Sequence, residues 1–344
     1  MRRYDIDWLR VIAIGLLLIY HVAIGFQLWG TMIGFIAAPK PWAGLWTPMS
    51  LLNVWRIPLL FFVSGMGVYF AMQQRNWKQL LTERTLRIWV PFVFGVFAIV
   101  PLHVLIWRHY YKMELRYQYD PGHLWFLANI FAYVLVLAPL LFYLKKNEAG
   151  KVVQLIKNIF STPLGLLIVL AAFIAEVMII KPIPYELYAM TWHGFALGLL
   201  AFLFGFCFVL SGSAFWQMLV KWRWMFVVVG AGLFTLRTYY FGMQTPPYLI
   251  VIESQAWIFT VLAFGHKYLN HNGKALQYLS PAVYPVYILH MLFLYLGSTL
   301  IFPLAIPVQF QFVLVLLFTL GGCLLSYEII KRIKWLRVLF GIKN

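Results

Sequence analysis

The sequence predicts an all-α, polytopic integral membrane protein of about ten transmembrane helices, with both termini on the cytoplasmic side. Three observations carry that reading. Hydrophobic residues make up 63% of the 344-residue chain and charged residues 11%, against roughly 45–50% and about 25% in ordinary soluble domains. The apolar residues fall into runs near the ~20 residues that a bilayer crossing needs. The basic residues, which give a net charge of +17, lie between those runs rather than in one patch. Together these exclude a soluble enzyme, a disordered chain and a secreted disulfide scaffold. The charge is read as topology and anionic headgroups, with an anionic ligand left open and no nucleic-acid partner expected.

The runs lie near 8–28, 50–72, 88–107, 123–144, 162–181, 192–210, 222–241, 249–268, 280–301 and 310–330. They are far longer than barrel strands, and open sheets cannot sit in lipid, so strands are excluded as the main element. The first run is too long for a cleaved signal peptide, has no small-residue cleavage site and holds titratable groups. The second contains "FVSGMG", whose spacing is wrong for a nucleophile elbow, so Ser64 and Gly65 are read as close helix packing. Cys207 and Cys323 sit inside the sixth and tenth runs as core filler, with no disulfide framework or metal spacing.

An even number of spans puts both termini on one side. With the N-terminus inside, 20 of the 27 Lys and Arg fall on inner segments, Arg2 and Lys343 at the two ends among them. Six fall on outer segments and Arg56 lies within the second run. That asymmetry orients the chain N-in and C-in. No repeat and no linker divides it, so a single domain over 1–344 is expected. The longest loops, about 29–49 and 108–122, are both outer; they serve either to cover an outer substrate or as interfacial belts.

Ionisable groups inside a span are costly and mark function by default. Arg10 and His21 share the first run. Eleven residues at about 100° each bring them to one helix face, about 16–17 Å apart along the axis. A deep neutral histidine can take a proton from a hydroxyl near neutral pH; it can equally pack against a neighbouring span. Arg84 and Arg87 stand three apart in "TERTLRIWVPF", so both guanidinium groups share a face. That arrangement suits a phosphate clamp and equally a positive-inside anchor. Arg56, His123 in "HLWFL" and Glu253 fall in the outer part of their runs, where with His21 they either form a polar site or neutralise one another. His290 is mid-span in "YPVYILH" and Glu176 mid-span in the fifth run. His103, His109, His193, His266 and His271 lie near ends or in loops and are read as structural. No Walker loop, no H-E-x-x-H and no Gly-x-Ser-x-Gly is present.

In order along the chain, these pieces resemble the acyltransferase-3 family of membrane acyltransferases. "YDIDWLRVIAIGLLLIYH" is similar to that family's opening aspartate-x-leucine-arginine pattern, followed by ten residues and then a histidine. Asp7, Arg10 and His21 fall on those places. "FFVSG" at 61–65, Arg84-x-x-Arg87 and "YPVYILH" at 284–290 resemble its second-span signature, its cytoplasmic arginine pair and its late tyrosine-rich span. A closer likeness is to the branch of periplasmic glucan succinyltransferases, through "HLWFL" at 123–127, "IES" at 252–254, "FGHKYLN" at 264–270 and the tail "YEIIKRIKWLRVLFG" at 327–341. The chain departs from that branch at "LHM", where a second histidine is expected, and carries Trp8 beside Asp7.

The resemblance implies transfer of a succinyl or acetyl group from cytoplasmic acyl-coenzyme A to a hydroxyl of an extracytoplasmic glycan, in a bacterial inner membrane and without a metal. It implies that Arg84, Arg87 and Arg10 hold coenzyme A and that His21 is the general base, or an acyl-carrying nucleophile. Arg56 would stabilise the oxyanion or bind a succinyl carboxylate, and Glu253 would orient His21 or bind the acceptor. His123, Trp125 and His290 join Arg56 and Glu253 on the substrate side. A homodimer is left open. The rival classes are a multi-span transporter or lipid flippase, an inner-face acyltransferase of another family, and a non-catalytic channel or scaffold. Against transport stands the lack of any repeat or broken helix pair.

Overall fold

The computed structural model describes residues 3–342; Arg2 and Lys343 lie outside them. No strand occurs among the described residues. Ten helices there are long and apolar enough to cross a membrane. They are α1 (Tyr4–Ile24), α2 (Ala43–Met72), α3 (Trp77–Tyr110), α4 (Gly122–Lys146), α5 (Pro163–Ile180), α6 (Trp192–Leu210), α7 (Arg223–Phe241), α8 (Pro247–Tyr268), α9 (Lys274–Ile301) and α10 (Val308–Ile330). All ten expected spans are present. The largest differences are at N-terminal ends: α3 begins eleven residues before its apolar run, because hydropathy locates lipid depth whereas the backbone ladder continues through charged turns. Asn76 starts that helix. Its Oδ1 accepts from the Gln79 amide at 2.9 Å while the Gln79 side chain accepts from the Asn76 amide at 3.0 Å, a reciprocal cap. At α1, Asp5 and Asp7 in the first turn complement the helix dipole.

Prolines shape several spans. Pro58 has no N–H to give the Val54 carbonyl, and α2 is interrupted there, resuming as a regular helix at Arg56. The hydroxyls of Ser254 and Tyr188 donate to that carbonyl instead, at 2.8 and 3.2 Å. In α3 two turns, Thr85–Trp89 and Gly95–Ile99, are wound wide, with i→i+5 bonds from Val90 to Thr85 and from Val100 to Gly95. Pro91 and Pro101 follow them. The Phe97 carbonyl that Pro101 cannot serve accepts from the Tyr117 hydroxyl at 2.8 Å. Between spans, Lys151–Phe160 and Ser213–Lys221 are short helices with buried apolar residues (Val153 and Phe160; Phe215, Trp216, Met218 and Leu219) and lysines elsewhere, the pattern of interfacial helices.

Two compact units exist, each assembled from three separate stretches of chain, so no boundary shows as a linker. The first comprises Met1–Ala13, Asn53–Thr82 and Asn129–Leu276. Its centre is the packing of the Arg56–Met72 part of α2 on α6. A β-carbon at Gly65 would collide with the backbone of Phe202, and one at Gly205 with that of Phe62; only glycine permits this approach. Cys207 is buried here.

The second unit comprises Ile14–Leu52, Glu83–Ala128 and Gln277–Asn344. In it α9 packs on α10, with Gly297 against the Phe318 ring and Gly322 against Phe293. Cys323 is buried here. The loop after α1 is folded rather than extended. Gly34 takes the left-handed conformation (φ 82°), which ends the Leu28–Ile33 turn, and the Ala38 and Trp42 amides bond back to Gly25 and Phe26. Phe26, Phe35, Ile36, Leu294, Tyr295 and Phe302 are buried together around it.

Candidate active site

The second unit brings four histidines into one line. The rings of His21 on α1 and His290 on α9 lie edge to edge and nearly coplanar, with centroids 5.0 Å apart and planes at 10°. Their nitrogens approach directly, Nδ1 of His21 lying 2.8 Å from Nε2 of His290. His123 at the start of α4 meets His290 edge-on at 4.8 Å. His103 on α3 follows at 5.6 Å from His123. His290 is fully buried and His103 nearly so, whereas the His21 ring is half-buried. Phe35 flanks His21 at 5.8 Å, and Tyr295 meets His103 edge-on at 5.2 Å.

Local structure holds the rings of His123 and His290. Gly122, at φ 49°, donates its amide to Asp120 Oδ1 at 2.7 Å; this Asx turn aims the first turn of α4. His123 Nε2 then donates to the Ile288 carbonyl at 3.1 Å, and the Tyr287 hydroxyl donates to the His123 carbonyl. His290 Nδ1 lies 2.6 Å from the carbonyl of Tyr287, one turn earlier on α9. The Tyr295 hydroxyl donates to Gly34 O at 2.6 Å, tying the folded loop to the same helix. Trp125 is buried beside Phe126 at the start of α4. Despite the four imidazoles, no group of three His, Cys, Asp or Glu is arranged to hold a metal ion among the described residues.

Arg84 and Arg87 belong to the same unit. Glu83 lies between them, its carboxylate 3.1 Å from Arg87 and 3.8 Å from Arg84. Arg87 sits within the wide turn Thr85–Trp89 and its Nε approaches Gly341 O at 3.5 Å. Wide turns of this kind recur at functional sites. Sixteen residues of α3 separate Arg87 from His103, about 24 Å of helix rise. One span thus carries the arginine pair at its beginning and the end of the histidine line near its close.

The first unit holds the remaining candidates. Arg10 lies 3.5 Å from Asp7, one turn earlier on α1. It rests over Gly67, where a β-carbon would stand 3.4 Å from the guanidinium. Arg56 is completely buried at the first turn of the resumed α2. Glu253 is buried on α8, and Arg237 on α7 engages both of its oxygens, Nε to Oε2 at 2.7 Å and the terminal nitrogen to Oε1 at 2.9 Å. Its carboxylate therefore serves a guanidinium of its own unit. Glu176 is likewise matched, 2.8 Å from Nδ1 of His193, over which Tyr185 and Tyr188 pack at 5.1 and 5.4 Å.

The structure thus joins His21, His123 and His290 in one unit with Arg84 and Arg87, and places Arg10, Arg56 and Glu253 in the other. Sequence reasoning missed Arg237, counted only as an outer basic residue although it falls within an apolar run, and His103, read as structural because it lies near a span end. Tyr287 carried no sequence signal beyond its place in "YPVYILH".

Residues 3–328 match the family model of the acyltransferase-3 domain. The chain belongs to the acyltransferase-3 family, and with its ten apolar helices it is an integral membrane acyltransferase. No curated protein and no solved structure matches it. Membership in a transferase family favours group transfer over the transporter and scaffold readings.

Proposed function

We propose that the protein is an acyl-coenzyme A-dependent O-acyltransferase that moves a succinyl or acetyl group to a hydroxyl of an extracytoplasmic glycan, in the manner of the glucan succinyltransferase branch, from a bacterial inner membrane. The observation that carries the reading is the occupancy of one unit by two sites of complementary chemistry. Arg84 and Arg87 suit the phosphates of coenzyme A, and Glu83 holds both side chains in place until a stronger anion competes for them. A long thin arm extended along α3 spans the distance from that pair to the histidines.

His21 acts as general base on the acceptor hydroxyl. His123 and Trp125 bind substrate beside it. The roles of Arg10, Arg56 and Glu253 concern the first unit. Arg10 orients ligand or steadies α1, Arg56 receives a carboxylate such as that of a succinyl group, and Glu253 with Arg237 offers hydrogen bonds to an acceptor.

The test is thermal stability of the detergent-purified protein with free coenzyme A, acetyl-coenzyme A, succinyl-coenzyme A and an unrelated nucleotide. A ligand that binds only the folded state raises stability as its concentration exceeds its Kd, by about 2.7 kcal/mol at a hundredfold excess. A selective shift, lost when Arg84 and Arg87 are both changed to Ala, supports the donor site. No shift with any coenzyme A species in folded protein overturns the donor and leaves the acyl group to come from another carrier.

A further inference from the structure

The hydrogen bonds around His290 settle which nitrogen of His21 carries its proton. A backbone carbonyl only accepts, so Nδ1 of His290, 2.6 Å from the Tyr287 carbonyl, must be the N–H of that ring. In a neutral imidazole the other nitrogen is then the acceptor. Nε2 of His290 faces Nδ1 of His21 at 2.8 Å, so for two neutral rings the contact has one solution: His21 donates from Nδ1. The lone pair of His21 is left on Nε2, the nitrogen on the side of the ring away from His290.

We infer that His290 is the positioning residue of the reaction: through its bond to Tyr287 it holds His21 in the Nδ1–H tautomer, so that Nε2 is the base presented to the acceptor hydroxyl. The inference rests on the reading of His21 as the base. The step balances with these two rings. As the acceptor oxygen bonds to the thioester carbonyl carbon, its proton passes to Nε2 of His21. The resulting imidazolium keeps its Nδ1–H bond to Nε2 of His290. When the carbon–sulfur bond breaks, the departing thiolate takes the proton from Nε2, and His21 returns to its starting tautomer. His290 changes neither bond nor charge. The near-coplanar, edge-to-edge alignment at 10° and the complete burial of His290 fix the orientation of the ring that receives the bond.

Two conservative variants separate positioning from packing. The amide nitrogen of Asn in His290→Asn falls near Nδ1 and keeps the bond to Tyr287, but offers His21 no acceptor. The amide oxygen of Gln in His290→Gln falls near Nε2 and accepts from His21, but gives up the Tyr287 bond. Positioning therefore predicts that His290→Asn lowers kcat about 100-fold or more, the low end of what general-base catalysis contributes, with KM for the donor little changed. It predicts that His290→Gln recovers most of that loss. A purely structural histidine predicts the reverse order, since Asn preserves the bond within α9. Nitrogen-15 spectra of histidine-labelled wild-type protein, with the His21 signals assigned by their loss in His21→Ala, give a readout independent of turnover. A protonated Nδ1 and an unprotonated Nε2 on His21 are expected, with the preference lost in His290→Asn. A protonated Nε2 in the wild type, or Asn more active than Gln, overturns the inference. Turnover near normal in His21→Ala overturns the base reading instead, and leaves the tautomer to be decided by the spectra.

Discussion

At the scale of single residues, the buried polar groups divide by what accepts them. Glu253 and Arg237 form a two-point pair in which both partners are at least nine-tenths buried. A buried pair is often no better than apolar residues of the same shape, but removing one partner strands a charge, at about 3–5 kcal/mol. Glu253→Ala should therefore lower the thermal midpoint of the purified protein strongly. The double change Arg237→Leu with Glu253→Leu should recover most of the loss. A double variant as unstable as the single one would show that another group depends on the carboxylate. His193 and Glu176 are a second such match, and the sequence showed each of those four residues without its partner. A charged residue inside an apolar run announces that it needs a partner, but one-dimensional spacing does not say which span provides it.

At the scale of elements, glycine and proline do most of the shaping. The approach of α2 to α6 depends on Gly65 and Gly205 meeting the backbones of Phe202 and Phe62. Gly65→Ala should cost about 1–3 kcal/mol through overpacking, visible as a lower thermal midpoint. Gly232→Ala, in a helix with open space around the position, should be neutral or gain up to about 1 kcal/mol. Equal midpoints for the two variants would contradict the close approach. The sequence reads Ser64 and Gly65 as packing residues, and the Gly65 contact agrees. Less legible were the prolines, because their effect lies in a carbonyl four residues earlier. Val54 is rescued by Ser254 and Tyr188, 200 and 134 residues away.

At the scale of the whole molecule, the basic residues predict an orientation for the chain. With the N-terminus inside, 20 of the 27 Lys and Arg lie on inner segments, and both termini are expected to face the cytoplasm. Protease added to spheroplasts should spare a tag at either end and cut it only after the membrane is opened. Cleavage of a terminal tag in intact spheroplasts would reverse the orientation, and with it the assignment of Arg84 and Arg87 to the cytoplasmic donor.

The number and kind of the membrane-spanning elements were determined by the sequence alone. Ten apolar runs require ten helices, because lipid leaves a backbone no other partner than its own turns, and the motifs carrying Arg10, His21, Arg84, Arg87 and His290 indicated the family before any contact was known. Tertiary structure decided the partners. That His21 faces His290, that His103 and His123 extend the line, and that Glu253 belongs to Arg237 each depend on which spans lie side by side. A span's hydropathy is nearly the same all round its circumference, so it records that the helix is in the membrane and not which neighbour it faces. Hydrogen-bond direction is the further step: only with the Tyr287 carbonyl in place beside His290 does the ring have a single tautomer to offer His21.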